Sequence, residues 1–480
     1  MAKKITSPEE DFSRWYQDVI REAELADSAP VRGCMIIRPY GYAIWEAMKA
    51  SLDRRFKETG HSNAYFPLFI PQSFITRESE HVEGFAPELA VVTHGGGKEL
   101  EEPLAVRPTS ETIINHMFSK WINSYRDLPM LLNQWANVVR WEKRTRPFLR
   151  TTEFLWQEGH TAHANEEEAR EETMRMLGVY ESFAREDAAI PVIAGQKTES
   201  EKFAGAVDTY AIEAMMRNGW ALQSGTSHYL GTNFARAFDT RYLDSSNSQQ
   251  YVHQTSWGVS TRLVGALIMA HGDEHGLRLP PRLAPIQTVI VPIFRSDDDR
   301  SSVMEKAAEI RDRLAGAGVR VELDDSEGSS PGFKFNHWEV RGVPLRLELG
   351  PRDLKEGHVM ASPRNRPGRD GKFTIPFDGL AETVCEKLEE IQEQMLSDAL
   401  SYRESRTWEL AGYDELASRL AEDPGFYRVW WDGGAEDEQR MKEETKATVR
   451  CIPLEQTGET GECFMTGRKT DRQAIVARAY

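Results

Sequence analysis

Val138–His160 reads VVRWEKRTRPFLRTTEFLWQEGH, a basic cluster followed by a packed aromatic and apolar run. Arg140, Lys143, Arg144, Arg146 and Arg150 crowd together in a chain whose formal net charge is -17. Most charge runs are solvated faces. The alternative is a cationic loop held between two strands, because clustered guanidinium groups grip polyphosphate. The rest of the chain has to decide between the two.

At 480 residues the chain exceeds one ordinary core and suggests about three domains. Hydrophobic residues make up 40% and charged residues 28%, the balance of a soluble globular protein. The opening MAKKITSPEEDFSRWY has no apolar core of a secretory signal, and no apolar run approaches the roughly 18 residues of a membrane span. The cytoplasm is the expected compartment. Cys34, Cys385, Cys451 and Cys463 form no C-x-x-C pair, which fits free thiols under reducing conditions and argues against a four-cysteine metal site. The acidic balance argues against nucleic-acid affinity over the whole surface, but phosphate contacts depend on local cations.

The clearest break is GLRLPPRLAP, Gly276–Pro285, where prolines interrupt any regular element. Beyond it, Ile286–Phe294 reads as a short buried strand. Val303, Ala307, Ile310 and Leu314 line one face of a helix that stops at Gly316 and Gly318. VRVELD, KFNHWEVRG and VPLRLELG continue as strand, helix and strand, and a helix over Gly379–Met395 closes an α/β unit spanning 286–397. A small third domain, 400–480, starts helical and then turns irregular. Within the first domain, 1–280, Gly41–Gly60 reads as an amphipathic helix with Ile44, Met48, Leu52 and Phe56 on one face. AYFPLFIP then reads as a strand whose prolines, Pro67 and Pro71, suit an edge or an interface.

Three further stretches carry chemistry: PTSET (Pro108–Thr112), ALQSGTSHYLG (Ala221–Gly231), and the strand-to-helix run from Tyr251 through Gly258 to Arg262. Taken singly each has a structural reading. Thr109 or Ser110 caps a helix, His228 is a satisfied core histidine, and Arg262 pairs with a surface carboxylate. His160 and His163 in EGHTAH invite a metal, but H-x-x-H without a third ligand at set spacing is a weak signal.

Together these stretches resemble motifs 1, 2 and 3 of class II aminoacyl-tRNA synthetases: a helix with a proline-bearing strand, R-x-E with a basic loop and R-x-x-x-F, and G-x-x-x-R. The finer pattern of VVRWE, FLRTTEFLWQEGHTAH, QSGTSHYLG, SWGVSTR, SPGFKFNHWEVRG and the terminal ARAY resembles prolyl-tRNA synthetases of the archaeal/eukaryotic type. The resemblance implies an α+β catalytic domain on an antiparallel sheet, an α/β anticodon-binding domain and a small α+β C-terminal domain. It also implies ATP, Mg²⁺ and L-proline as reactants, tRNA(Pro) as acceptor, and a homodimer formed through motif 1. Arg140 and Arg262 would be catalytic. Proline would meet Thr109, Glu111, Arg140, Trp156, Phe203 and His228. ATP would meet Arg140, Glu142, Arg150, Thr151, Phe154, Gln223, Thr226, Ser260 and Arg262. Glu339, Arg341, Arg346 and Arg352 would face the anticodon. The chemistry suits this set, because adenylation needs positioning and charge neutralisation more than a protein acid or base.

The chain departs from that pattern in its last domain. WWDGGAEDE (Trp430–Glu438) and ECFMTG, with Cys463 alone, replace the paired cysteines that often bind zinc in this family, so no structural zinc is expected and the domain would rest on packing. Thr152 stands where an arginine is common, which removes a cation near the phosphates. His163 stands where an aromatic is common. The stretch Ala164–Gln250 is too short to hold an inserted editing domain.

Overall fold

A computed structural model describes residues 5–81, 89–294 and 296–480. Its centre is an antiparallel sheet. Its strands, in chain order, are β1 (Ser62–Asn63), β2 (Met130–Val139), β3 (Glu153–His163), β4 (Val192–Gln196), β5 (Asp208–Met215), β6 (Ala221–Gly231) and β7 (His253–Ser260). In space they run β4-β5-β6-β7-β3-β2-β1, and only the short edge strand β1 pairs in parallel. β2 and β3 are a hairpin whose connection is the basic loop, closed where Arg140 N–H donates to the Thr152 carbonyl at 2.8 Å.

Alternation along β3 gives the sheet two different faces. Leu155, Gln157 and Gly159 point one way, into a core of aromatic rings. Trp257 lies directly opposite Gly159, and a Cβ there would fall 2.1 Å from the indole. Glycine is therefore needed for the close approach of ring and strand. Phe56 of the helix Pro39–Glu58 lies 5.0 Å from the Trp257 ring, and Tyr180 of the helix Glu166–Glu186 donates to Gln157 Oε1 at 2.7 Å. The second helix starts cleanly because Asn165 accepts from Glu168 N–H and three glutamates occupy its positive end. Phe154, Trp156, Glu158 and His160 point the other way, toward an open cavity.

β7 runs into the helix Arg262–His271, so that Arg262 is the first helical residue. After the prolines, strands Val321–Leu323, Thr288–Pro292 and Leu345–Leu349 pair in parallel, and His358–Pro363 and Phe373–Pro376 add antiparallel strands. Val303, Ala307, Ile310 and Leu314 are fully buried on the helix Asp297–Gly316, as their spacing predicts. This unit is fixed to the first by a buried fork from Arg364 to both oxygens of Asp273, at 2.7 and 2.5 Å.

The last segment is less separate than its sequence suggests. Ala447–Pro453 pairs with Gln473–Arg478 on one side and with β4 on the other, which extends the catalytic sheet to eleven strands. At the join, the buried Glu213 carboxylate takes Lys197 at 2.7 Å and Arg450 at 3.1 Å. Trp431 packs with Phe464 and Cys463, while Asp432 accepts from Arg468 Nε at 2.7 Å.

Several expectations need correction. AYFPLFIP is not one strand: within it only Phe69–Pro71 is a strand, because the prolines remove ladder donors. The helix expected from Gly41 begins at Pro39, a residue pre-set for a first turn, and the helix expected to end at Met395 continues to Ser405. Ser110 does precede the helix Glu111–Trp121, but its hydroxyl makes no cap and donates to Glu158 at 2.5 Å instead.

Candidate active site

Four strands and one helix terminus converge on a cavity of about 320 Å³. β3 supplies Phe154, Trp156, Glu158 and His160; β6 supplies Gln223, Thr226 and His228; β7 supplies Ser256 and Ser260. Thr109 and Glu111 enter from the loop and helix before β2, and Arg262 closes one end.

Arg140 is the central cation. Its Nε donates to the Pro108 carbonyl at 3.0 Å, and its guanidinium lies 5.5 Å from the Phe154 ring and 5.4 Å from the Trp156 ring. Burial lowers its pKa, opposed by the carboxylates of Glu111, Glu158 and Glu142; the group stays charged. Arg262 donates to the Leu149 carbonyl at 3.1 Å and to the Gln223 carbonyl at 3.4 Å. Burial, and then the nearby charges of Arg140 and Arg150, lower it to about 10. Two half-buried guanidinium groups, each held by backbone carbonyls, suit anionic oxygen.

The cavity also combines a carboxylate with an apolar wall. Thr109 donates to the Glu111 carboxylate. The Phe203 ring lies 4.7 Å from His228, and both line the cavity with Trp156. The Thr209 hydroxyl accepts from Phe203 N–H at 2.9 Å and shares a hydrogen bond with His228 Nδ1 at 3.0 Å. Burial, helped by the charge of His160, holds the His228 pKa down at about 3.

The structure brings together Thr109, Glu111, Arg140, Phe154, Trp156, Phe203, Gln223, Thr226, His228, Ser260 and Arg262, as expected. It does not bring in Glu142, Arg150 and Thr151. Arg150 pairs with Glu142 at 3.2 Å on the basic loop, and Thr151 turns its hydroxyl to the Glu153 carbonyl at 2.6 Å. Thr152 is buried against Gly33, so its side chain is packed rather than presented to a ligand. Sequence reasoning also missed residues that line the cavity: Glu158, His160, Thr209 and Ser256. Strict alternation along FLWQEGH was the signal for the first two. The same alternation separates His160 from His163, because residues three apart on a strand face opposite sides. His163 instead meets Thr161 Oγ1 at 2.8 Å.

In the 286–397 region a second groove is lined by Phe335, Trp338, Glu339, Arg346 and Lys372. Arg346 stands 4.2 Å from the Phe335 ring. Arg341 and Arg352 are not part of it: Arg341 pairs with Glu24 of the first domain, and the exposed Arg352 pairs with Glu356 at 2.9 Å.

Comparison with known proteins accounts for the geometry. The tRNA synthetase class II core domain (G, H, P, S and T) matches residues 92–271, and an anticodon binding domain matches 287–387. The fold and cavity are therefore those of a class II aminoacyl-tRNA synthetase. A prolyl-tRNA synthetase C-terminal domain matches 413–480. The chain is 56% identical over 478 residues to a proline–tRNA ligase of Roseiflexus sp. (strain RS-1), covering 99% of both chains. It is 57% identical over 488 residues to that of Chlorobium chlorochromatii, covering 100% of both. It is also 56% identical to the chloroplastic/mitochondrial proline–tRNA ligase of Arabidopsis thaliana, covering 100% of this chain and 88% of the relative. The chain belongs to the proline–tRNA ligase family.

Burial also sets a pH dependence of stability. His163 and His271 are held down at about 4 and His228 at about 3, in each case first by desolvation. Between those values and the unfolded value of about 6.5, the unfolded chain binds more protons, so stability falls as pH falls. His160 is shifted upward, so its contribution is lost as pH rises above about 6.5 rather than in this window, and His253 is lowered as well. The melting temperature should drop from pH 7 to pH 5, before most carboxylates titrate. His271→Gln, which can still donate to the Ala188 carbonyl, should flatten that slope in a series of melting curves.

Proposed function

We propose that the chain condenses L-proline with ATP in this cavity and transfers the prolyl group to the 3′ end of tRNA(Pro). The observation that carries the reading is the polarity of one cavity: a carboxylate beside an apolar wall, together with two half-buried guanidinium groups. The proline ammonium rests on Glu111 and Thr109, and its ring lies against Trp156 and Phe203 with His228 beside it. Its carboxylate and the ATP α-phosphate share Arg140. Phe154 stacks on adenine, and Gln223, Thr226 and Ser260 complete the nucleotide site with Arg262. Mg²⁺ arrives with ATP as part of the substrate. Arg150, Glu142 and Thr151 act from the basic loop. Exchanging the Glu142 partner of Arg150 for phosphate costs little, because a half-exposed ion pair contributes only about 0–1 kcal/mol.

A proline carboxylate oxygen attacks the α-phosphorus in line, the bond to the bridging oxygen breaks, and pyrophosphate leaves. The terminal adenosine hydroxyl of the tRNA then attacks the prolyl carbonyl and AMP leaves. The protein's part is positioning and charge neutralisation. Amino-acid-dependent ATP–pyrophosphate exchange should be strongest with proline. Arg140→Ala should lower it at least about 100-fold, the scale of losing a key charge-stabilising donor. Exchange strongest with another amino acid would overturn the substrate.

Three units, 1–280, 286–397 and 400–480, divide the labour in this reading, with the anticodon read in the groove around Phe335, Glu339 and Arg346. Aromatic and cationic groups in one groove suit unstacked bases. Arg346→Ala should weaken tRNA(Pro) binding by about tenfold or more, the cost of one charged contact. Arg352→Ala should leave it unchanged, and filter binding at fixed salt separates the two.

The chain works as a homodimer without structural zinc. Supporting the dimer, β1 is a sheet edge, and Tyr65, Phe69, Trp121 and Tyr125 are exposed in and beyond the segments that flank it. Four free cysteines suit the cytoplasm. Native mass spectrometry should give twice the 54.6 kDa chain with no bound zinc; a monomer or a zinc adduct overturns the corresponding part.

A further inference from the structure

The amino-acid end of the cavity holds more charge than recognition of one ammonium requires. Glu111, Glu158 and His160 are all buried, and one nitrogen or oxygen atom from each lies within 4.8 Å of the others. Two carboxylates that close, out of water, repel strongly, and the usual result is that one of them keeps its proton. Glu158 cannot turn away. Its oxygens take the Ser110 hydroxyl at 2.5 Å, the Gln134 amide at 2.8 Å, the Ser110 N–H at 3.2 Å and His160 Nε2 at 3.0 Å. Among the described residues, Glu111 has only the Thr109 hydroxyl as a side-chain donor to its carboxylate.

We propose that His160 is a positioning residue: as an imidazolium between the two carboxylates, it lets Glu111 stay ionised beside Glu158 and so keeps the charge that receives the proline ammonium. This rests on Glu111 being the counter-charge described above. Burial by itself would neutralise His160, but the hydrogen bond to Glu158 and the charges of Glu111 and Glu158 raise its pKa overall. Glu158 is correspondingly lowered, against its burial, by the same bond and charge. The other charged or titratable groups that face the cluster are Arg140, which feels both carboxylates, His228, which is neutral, and Glu201 on the cavity wall. Ser256 lies directly opposite His160 in the β7–β3 pairing, and its buried hydroxyl has no partner.

The test is proline-dependent ATP–pyrophosphate exchange from pH 5.5 to 8.0 on wild type, His160→Gln, His160→Gln with Glu158→Gln, and Glu111→Gln. Wild type should show a KM for proline that changes little over this range. In His160→Gln the unrelieved repulsion should protonate Glu111 at the acid end. The KM for proline should then fall about tenfold per pH unit up to a new apparent pKa, with the KM for ATP within about twofold of wild type. Adding Glu158→Gln removes the repulsion and should restore the flat profile. A uniform rise in KM with no acid limb, or a limb that survives the second substitution, overturns the proposal and leaves Glu111 in place. A Glu111→Gln enzyme with unchanged KM for proline overturns the underlying assignment as well. If His160→Gln does not fold, carbon-detected NMR on the wild type decides: His160 should show the imidazolium shift at pH 7, and a neutral shift there overturns the proposal.

Discussion

Everything at the active site depends on β3 being paired on both sides. Its ladder with β2 runs from Val139↔Glu153 to Met130↔Ala162, and its ladder with β7 from Ser260↔Trp156 to His253↔His163. A strand locked between two neighbours cannot slip, and a slip of one residue would exchange its faces. Gly159 and Gln157 would then point into the cavity, and Glu158 and His160 into the ring cluster around Trp257. The close contact of Gly159 with that indole penalises any such register, since the other residues of the strand carry a Cβ that the ring leaves no room for.

The charges follow from this frame. Arg140 leaves the hairpin just after β2, and Arg262 opens the helix just after β7, so two strand ends deliver two guanidinium groups to one cavity. Neither is bonded to a carboxylate there; both are held by backbone carbonyls. That is an economical way to keep cations available, because a carbonyl orients a guanidinium without neutralising it. At the other end the carboxylates are arranged differently. Glu158 takes donors from Ser110, Gln134 and His160, whereas Glu111 takes the Thr109 hydroxyl.

The C-terminal segment bears on the same sheet. Its strand Ala447–Pro453 extends the sheet at β4, and Arg450 shares Glu213 with Lys197 at the seam. Glu213 lies opposite Gln223, whose carbonyl holds Arg262. Stability of this segment is thus tied to the catalytic sheet by a buried ion triad, where removing Glu213 would leave two buried cations without their carboxylate. Trp431 and Phe464, together with the Arg468–Asp432 pair, hold the region that lacks paired cysteines.

Sequence by itself determined the strands around the basic loop, the helix after Ser260, the α/β unit with its fully buried Val303–Leu314 stripe, and the residue types that a polyphosphate site needs. These are local matters: periodicity, caps and charge clustering are written within a few residues of each other. It did not determine that Glu158 and His160 join Glu111, nor that Arg341 pairs with Glu24 and Arg352 with Glu356. Nor did it show that the last domain continues the catalytic sheet. Those outcomes depend on register and on edge-to-edge pairing between segments hundreds of residues apart, such as Pro453 with Gly195. Which partner a buried charge finds is settled by the lowest-cost way to leave water. Only the assembled structure offers the alternatives among which that choice is made.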